Sequence, residues 1–290
     1  MQTASKIDID ALARLLVLMA DNHIVPYFRN LKAEDIETKS HANDFVTRAD
    51  KETEIALTKA LHTMVPGCTV IGEEAVSAGL TTTDALNDPK QVIFVLDPVD
   101  GTSNFKNGSV TFGEMMSVVV NGEVVAGFIY DVMSGTMYIA VKGEGAYRLP
   151  RDYSGSYKDG ERLRVSDGKD LDTANGFLAP YYFPPAARPF LRTAVNGRFQ
   201  SLHCSAHEYI NVASGKAEFV VVNHMKPWDH LAGALMVQEA GGVAAKFDGS
   251  KYLPGDETGG IIVANNPAIM KQLSDKIVNP VVEILRGPSP

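Results

Sequence analysis

Apolar positions recur at helical spacing near the start of the chain, where Leu12, Leu15, Leu16 and Met19 share one face of residues 7–29 and Pro26 marks a kink or end. A second helix is expected to start at Thr47, with Asp50 completing a capping box three residues on. It should bury Ile55, Leu57, Leu61 and Met64 before Pro66-Gly67 stops it. The pattern then changes to strand-length apolar runs. "CTVIGEE" (68–74) and "VIFVLDPVD" (92–100) each end in two acids, Glu73 with Glu74 and Asp97 with Asp100. Residues 115–120 and 123–130 are β-rich, and the Asn121-Gly122 between them is the signature of a type I′ hairpin that "TMYIAV" (136–141) extends. Residues 148–168 are polar and read as the seam of a single domain, with an N-terminal α+β half (1–150) and a C-terminal α/β half (151–290). Beyond it, strands near 200–203, 218–222, 243–247 and 260–264 alternate with helices near 206–214, near 230–240 and from about 267. That alternation predicts mixed α/β layers. No internal repeat is visible.

Composition narrows the function classes. A formal net charge of -8, from 27 Lys and Arg against 35 Asp and Glu, argues against direct nucleic-acid binding, which draws on clustered cations. Cys68 and Cys204 show no CxxC spacing and read as two small buried thiols in a reducing compartment. Asp8, Asp10 and Asp21 interrupt the first apolar stretch, as in an amphipathic helix and not a signal peptide, and no run approaches the roughly 20 apolar residues of a membrane span. A cytoplasmic protein with no membrane partner is therefore expected. His203, His207, His224 and His230 lie close in sequence without the HxxxH or HExxH frame, so no zinc site is expected.

The acids carry the chemistry. Glu73, Asp97, Asp100 and Asp229 each sit at the end of an apolar run or the start of a helix, where singly they read as helix caps. Together they are an oxygen-donor set for hard divalent cations, with Pro98 stiffening the turn so that the Val99 carbonyl can join them. Next to them, Gly101, Thr102 and Ser103 open a short helix whose free amides suit a phosphate. Cations beside an amide cradle suit phosphoryl transfer to water, and the absence of a Walker motif removes support for nucleoside-triphosphate hydrolysis.

"GEE" (72–74), "DPVDGTSNF" (97–105) and "PWDHLAGALMVQEAGG" (227–242), with "NDFVTRAD" (43–50), resemble in order and spacing the signatures of the inositol monophosphatase family of magnesium-dependent, lithium-sensitive phosphatases. The resemblance runs from about residue 7 to about 285. It implies a layered αβαβα sandwich of the inositol monophosphatase and fructose-1,6-bisphosphatase type, acting on a small phosphate ester as a homodimer with two to three Mg2+ ions. It also implies residue roles. Glu73, Asp97 and the Val99 carbonyl would hold one ion, Asp97, Asp100 and Asp229 a second, and a third would lean on Glu73 through water. Glu73, Thr102 and Asp50 would serve the nucleophilic water, the amides of Gly101, Thr102 and Ser103 the phosphate, and Lys39, before Asp44, the active-site flap. Asp100, Ser205, Ala206 and Asp229 would line the substrate pocket. Inositol-specific members carry a glutamate seven residues before the last metal aspartate, where this chain has Val222. Lys106, Lys226 and His230 are expected to add positive charge at the entrance, suiting a 3′(2′),5′-bisphosphate nucleotide, with histidinol or sugar phosphates as further alternatives. A regulatory protein binding the transcription or translation machinery is the non-enzymatic alternative.

Overall fold

The computed structural model describes residues 7–39, 45–88, 90–194 and 199–286. The strand that carries the acids is the run that ends in Asp97 and Asp100. Nine consecutive buried residues form this strand, β4 (Val92–Asp100), because both of its faces are covered. β4 lies in a seven-stranded sheet of β3 (Thr69–Gly72), β4, β5 (Gly113–Val120), β6 (Glu123–Asp131), β7 (Thr136–Val141), β8 (Gly145–Pro150) and β9 (Glu161–Arg162), in that spatial order. Only the β3–β4 pair is parallel. Asn121 and Gly122 both adopt positive φ, 54° and 74°, as the hairpin signal between β5 and β6 required. β1 (Ile36–Thr38) and β2 (Phe45–Thr47) form a small separate hairpin that the apolar pattern gave no hint of.

One face of this sheet buries Phe94, Leu96, Met116 and Phe128 against α1 (Ile9–Met19) and α2 (Arg48–Met64). The other packs on α6 (Ser205–Ala213) and α7 (Pro227–Glu239). Across those helices lies a five-stranded sheet ordered β11 (Phe199–Gln200), β10 (Gly176–Leu178), β12 (Phe219–Val222), β14 (Ile261–Ala264) and β13 (Val243–Lys246). α5 (Arg188–Ala194), α8 (Pro267–Leu273) and α9 (Asn279–Arg286) cover its far face. The result is the expected αβαβα sandwich. α7 sits in the middle layer and is buried on nearly every side, which is why its sequence carries so few polar residues.

Several expectations need correction. In α2 the buried stripe is Ala49, Thr53, Leu57 and Leu61, while Ile55 is 70% exposed and Met64 is also exposed. Ile55 precedes Leu57 by two residues, about 200° around the helix, and so faces solvent. The polar stretch from residue 148 does not divide the sheets at once, because β9 still pairs with β8 and the buried Tyr157 packs edge-on against Tyr147. α7 begins at Pro227, three residues earlier than expected, so Asp229 lies within its first turn and does not cap it. β10 and α5 were not anticipated. No helix among the described residues is long and apolar enough to cross a membrane.

Candidate active site

Side chains alternate along a strand, so residues three apart, such as Asp97 and Asp100, should face opposite ways. A β-bulge resolves this. Asp97 pairs with Met115 and Asp100 with Gly113, so three steps on β4 oppose two on β5 and the extra residue brings both acids round together. Pro98, with no N–H to lose, falls inside the bulge. Gly101 then turns the chain with φ 86° into α4 (Thr102–Lys106). A Cβ there would stand 3.1 Å from the Thr111 carbonyl and 3.2 Å from Cys204 Cβ.

Asp97 points to the face that carries Trp228 and Leu231 of α7, and there it meets Asp229. Ligand oxygens of Asp97, Asp100 and Asp229 lie within 4.8 Å of one another. Burial and the neighbouring acids push Asp97 far up, whereas Asp229, despite its own burial, is held down by a 2.9 Å hydrogen bond with the His224 imidazole. Asp100 is pushed up to about 6 by burial and by Asp229, against the Cys204 thiol at 3.0 Å and the Ser205 and Ala206 amides that donate to it. Asp97 Oδ1 is buried without a hydrogen-bond partner, and such a group is costly unless something compensates it. Three converging carboxylates with an orphaned oxygen and no nitrogen or sulfur ligand among them fit a hard divalent cation.

Glu73 enters from β3. It opens α3 (Glu73–Ser77), whose Glu74 and Ala75 amides donate to the Glu54 carboxylate of α2 at 2.8 and 2.7 Å. Gly72 is required at this approach, since a Cβ would fall 2.1 Å from that carboxyl carbon. Lys39 Nζ lies 2.8 Å from Glu73 and 2.7 Å from Glu74. Burial pushes the two carboxyls to about 8 and about 7 respectively, while Lys39 pulls them down. Lys39 therefore bridges Glu73 and Glu74, and Asp44, which the expected flap also includes, lies outside the described residues.

Asp50 is fully buried at the start of α2, where it accepts from the Thr47 amide as the capping box requires, and from the Thr47 hydroxyl as well. Thr102 Oγ1 stands 3.2 Å from Asp50 Oδ1 and 3.0 Å from the Val99 carbonyl. One hydroxyl has one proton for these two acceptors, and burial pushes Asp50 up against the Thr47 and Thr102 groups that pull it down. Asn104 ties α4 across the sandwich, donating to the Thr111 and Leu202 carbonyls at 2.8 Å each.

These elements frame a cavity of about 540 Å³ lined by Glu73, Asp100, Gly101, Thr102, Ser103, Ser205 and Asp229. Asp50, Asp97 and Val99 stand behind that lining, and Ala206 reaches it through the amide on Asp100. Of the residues expected to charge the entrance, Lys106 has its Nζ 3.7 Å from the centre of the Phe45 ring, which lines the cavity, and Lys226 has its Nζ 5.5 Å from that of Trp228. His230 is buried between the Tyr209 hydroxyl and the His224 carbonyl, and burial lowers it to about 4, leaving it neutral. The structure does bring His224 and His230 together with Asp229, but as hydrogen-bond partners that tie the first turn of α7 to the loop before it. Glu208, Tyr182 and the Cys204 thiol also line the site; Cys204 was expected only as a buried thiol, and Glu208 and Tyr182 were given no role in the sequence.

The profile of the Inositol monophosphatase family matches residues 8–284. The chain belongs to that family. It is 31% identical over 261 residues to the Nus factor SuhB of Escherichia coli K12, covering 84% of this chain and 89% of that protein. With the inositol-1-monophosphatase of Bacillus subtilis it shares 28% identity over 246 residues, covering 84% and 87%. An IMPase/NADP phosphatase complexed with Mg2+ and phosphate superposes with a TM-score of 0.75 at 20% identity, covering 97% of this chain and 96% of that one, and so shares its fold.

Proposed function

We propose that the protein is a Mg2+-dependent phosphomonoesterase that hydrolyses a small phosphate ester with water. The observation that carries this reading is the convergence of Asp97, Asp100 and Asp229 within 4.8 Å, beside the turn at Gly101, Thr102 and Ser103, which line the same cavity. Glu73, Asp97, Asp100, Asp229 and the Val99 carbonyl would hold two to three ions, with Lys39 moving off Glu73 as they bind. When bound, the cations acidify water and offset charge on the phosphoryl group.

The chain's own residues do the rest. The three amides hold the phosphoryl oxygens, and the Thr102–Asp50 pair accepts from and orients the attacking water. Glu73 takes up one proton of that water as the new P–O bond forms and returns it to the alkoxide oxygen as the ester P–O bond breaks, so that the alcohol leaves neutral and the second water proton stays on the phosphate. Asp97→Asn should abolish Mg2+-dependent phosphate release from small esters. Unchanged turnover in that variant, with the fold intact by circular dichroism, would sink the assignment. The same reading places a homodimer in the cytoplasm and expects inhibition by millimolar lithium, checked by light scattering and a lithium titration.

The SuhB relative's designation as a Nus factor supports a second reading, a regulatory role in transcription. It is tested by asking whether purified protein binds RNA polymerase, and whether Asp97→Asn binds equally well.

A further inference from the structure

The four acids expected to hold cations are not themselves held alike. Asp100 accepts from the Cys204 thiol and the Ala206 amide, and Glu73 from the Lys39 ammonium, which has to leave when a cation arrives. Asp229 takes an imidazole instead. His224, which lines the far wall of the cavity with Tyr182 and Glu208, places its Nε2 2.9 Å from Asp229 Oδ2, the one nitrogen donor to this carboxylate among the described residues. Facing a carboxylate, that nitrogen carries a hydrogen, so the ring donates and does not ligate. The imidazole has no other hydrogen bond among the described residues, since its Nδ1 is buried without a partner.

The ring is clamped on two sides. Tyr182 stacks on it with centroids 4.7 Å apart and planes at 26°, and His230 meets it edge-on at 5.2 Å. His230 Nε2 also donates to the His224 carbonyl at 3.0 Å, which leaves Nδ1 of that neutral ring to accept from the Tyr209 hydroxyl at 3.1 Å. Tyr209 is seated where Gly233 of α7 leaves room for it, because a Cβ there would fall 2.1 Å from its ring. The packing of α6 on α7 is thus carried through Tyr209, His230 and His224 to the orientation of one carboxylate. That orientation matters. Asp229 lies within the first turn of α7, where the backbone leaves its side-chain bonds free to rotate, and repulsion from Asp97 and Asp100 favours turning away.

Resting on the phosphatase reading, we propose that His224 is a positioning residue for the cation shared by Asp97, Asp100 and Asp229: it stops the Asp229 carboxylate from turning away, stays on it when the ion binds, and so sets the affinity for that ion. Outer hydrogen-bond partners of metal ligands are worth about 10–100-fold in metal affinity.

Calorimetric titration with Mg2+ alone tests this without turnover. His224→Phe keeps a ring against Tyr182 and removes the donor, and should bind one Mg2+ ion about 10–100-fold more weakly than wild type. His224→Gln returns an N–H at similar reach and should recover part of the loss. In assays, the Mg2+ concentration for half-maximal phosphate release should rise in His224→Phe by a larger factor than kcat falls. Proton–nitrogen NMR of wild type, with the His224 signal assigned by its absence from His224→Gln, should show the Nε2 proton shifted by Mg2+ yet still protected from solvent. Equal Mg2+ affinity in wild type and His224→Phe, or loss of the protected proton when Mg2+ is added, overturns the proposal and leaves the phosphatase reading standing. Weakened binding that His224→Gln does not restore marks a structural role and overturns it too. His224-dependent Mg2+ binding in a wild type that hydrolyses no phosphate ester does the reverse, supporting the proposal against the phosphatase reading. If His224→Phe fails to fold, the wild-type NMR titration decides.

Discussion

Glu114 is the sharpest test of how burial governs this chain, because it lies far from any charge that could complicate it. It sits on β5 on the face that buries Met116, Val118 and Phe128, is 0% exposed, and has no hydrogen-bond partner at either carboxyl oxygen. Burial alone pushes it well above its ordinary value of 4.5, with no charged neighbour acting on it. In the unfolded chain the group ionises above pH 4.5, whereas in the folded protein it holds its proton to higher pH. The unfolded state thus binds fewer protons, and stability falls as pH rises. The penalty is absent below the unfolded value, grows by up to about 1.4 kcal/mol per pH unit above it, and levels off only above the folded value. Glu114→Met replaces the carboxyl with an apolar group of similar length. Urea unfolding in EDTA at pH 5.5 and pH 7.5 should show the variant gaining on wild type between the two, by no more than about 1.4 kcal/mol per pH unit. Other acids titrate in both proteins and cancel in the difference. Parallel stability curves for the two proteins would refute the reasoning, since they would mean that Glu114 ionises alike folded and unfolded.

Two further outcomes follow from the site itself. Gly101→Ala forces a Cβ onto a residue at φ 86° against the Thr111 carbonyl, and should cost about 1–2 kcal/mol in stability with a larger loss of phosphatase activity, read by thermal unfolding and phosphate release. A variant as active and stable as wild type would show that the turn does not need its left-handed residue. Lys39→Met leaves Glu73 and Glu74 buried without their cation, and should destabilise the metal-free protein by about 1–3 kcal/mol, a deficit that Mg2+ shrinks. Unfolding curves with EDTA and with Mg2+ test this, and an equal deficit in both would mean that the lysine and the metal do not share Glu73.

What could be read from the sequence was whatever left an electrostatic anomaly in a local pattern. Acids closing two apolar runs cannot be core residues without a compensating partner, so Glu73, Asp97 and Asp100 were visible before any fold was known. The capping box at Thr47 and Asp50 and the Asn121-Gly122 hairpin were legible for a related reason, since each is a local rule satisfied within a few residues. The bulge at Pro98 and Val99 was not, because strand alternation alone would have sent Asp97 and Asp100 to opposite faces, and the extra residue exists only in pairing with β5. The far wall was hidden more deeply. Glu208, Tyr182 and His224 come from α6, from the turn after β10 and from the loop after β12, three places with no shared period.

The same contrast explains where the chain is satisfied and where it is not. Asp229 and Asp100 have donors in place, His224 for one and Cys204 with the 205–206 amides for the other, whereas Asp97 keeps an orphaned oxygen at the centre. Adding one more donor beside Asp97 would settle that carboxylate and remove the reason for a cation to bind there. The unsatisfied atom is therefore the feature on which the proposed activity turns. Its cost is carried by the layers that hold it: β4 buried on both faces, and α7 packed between two sheets.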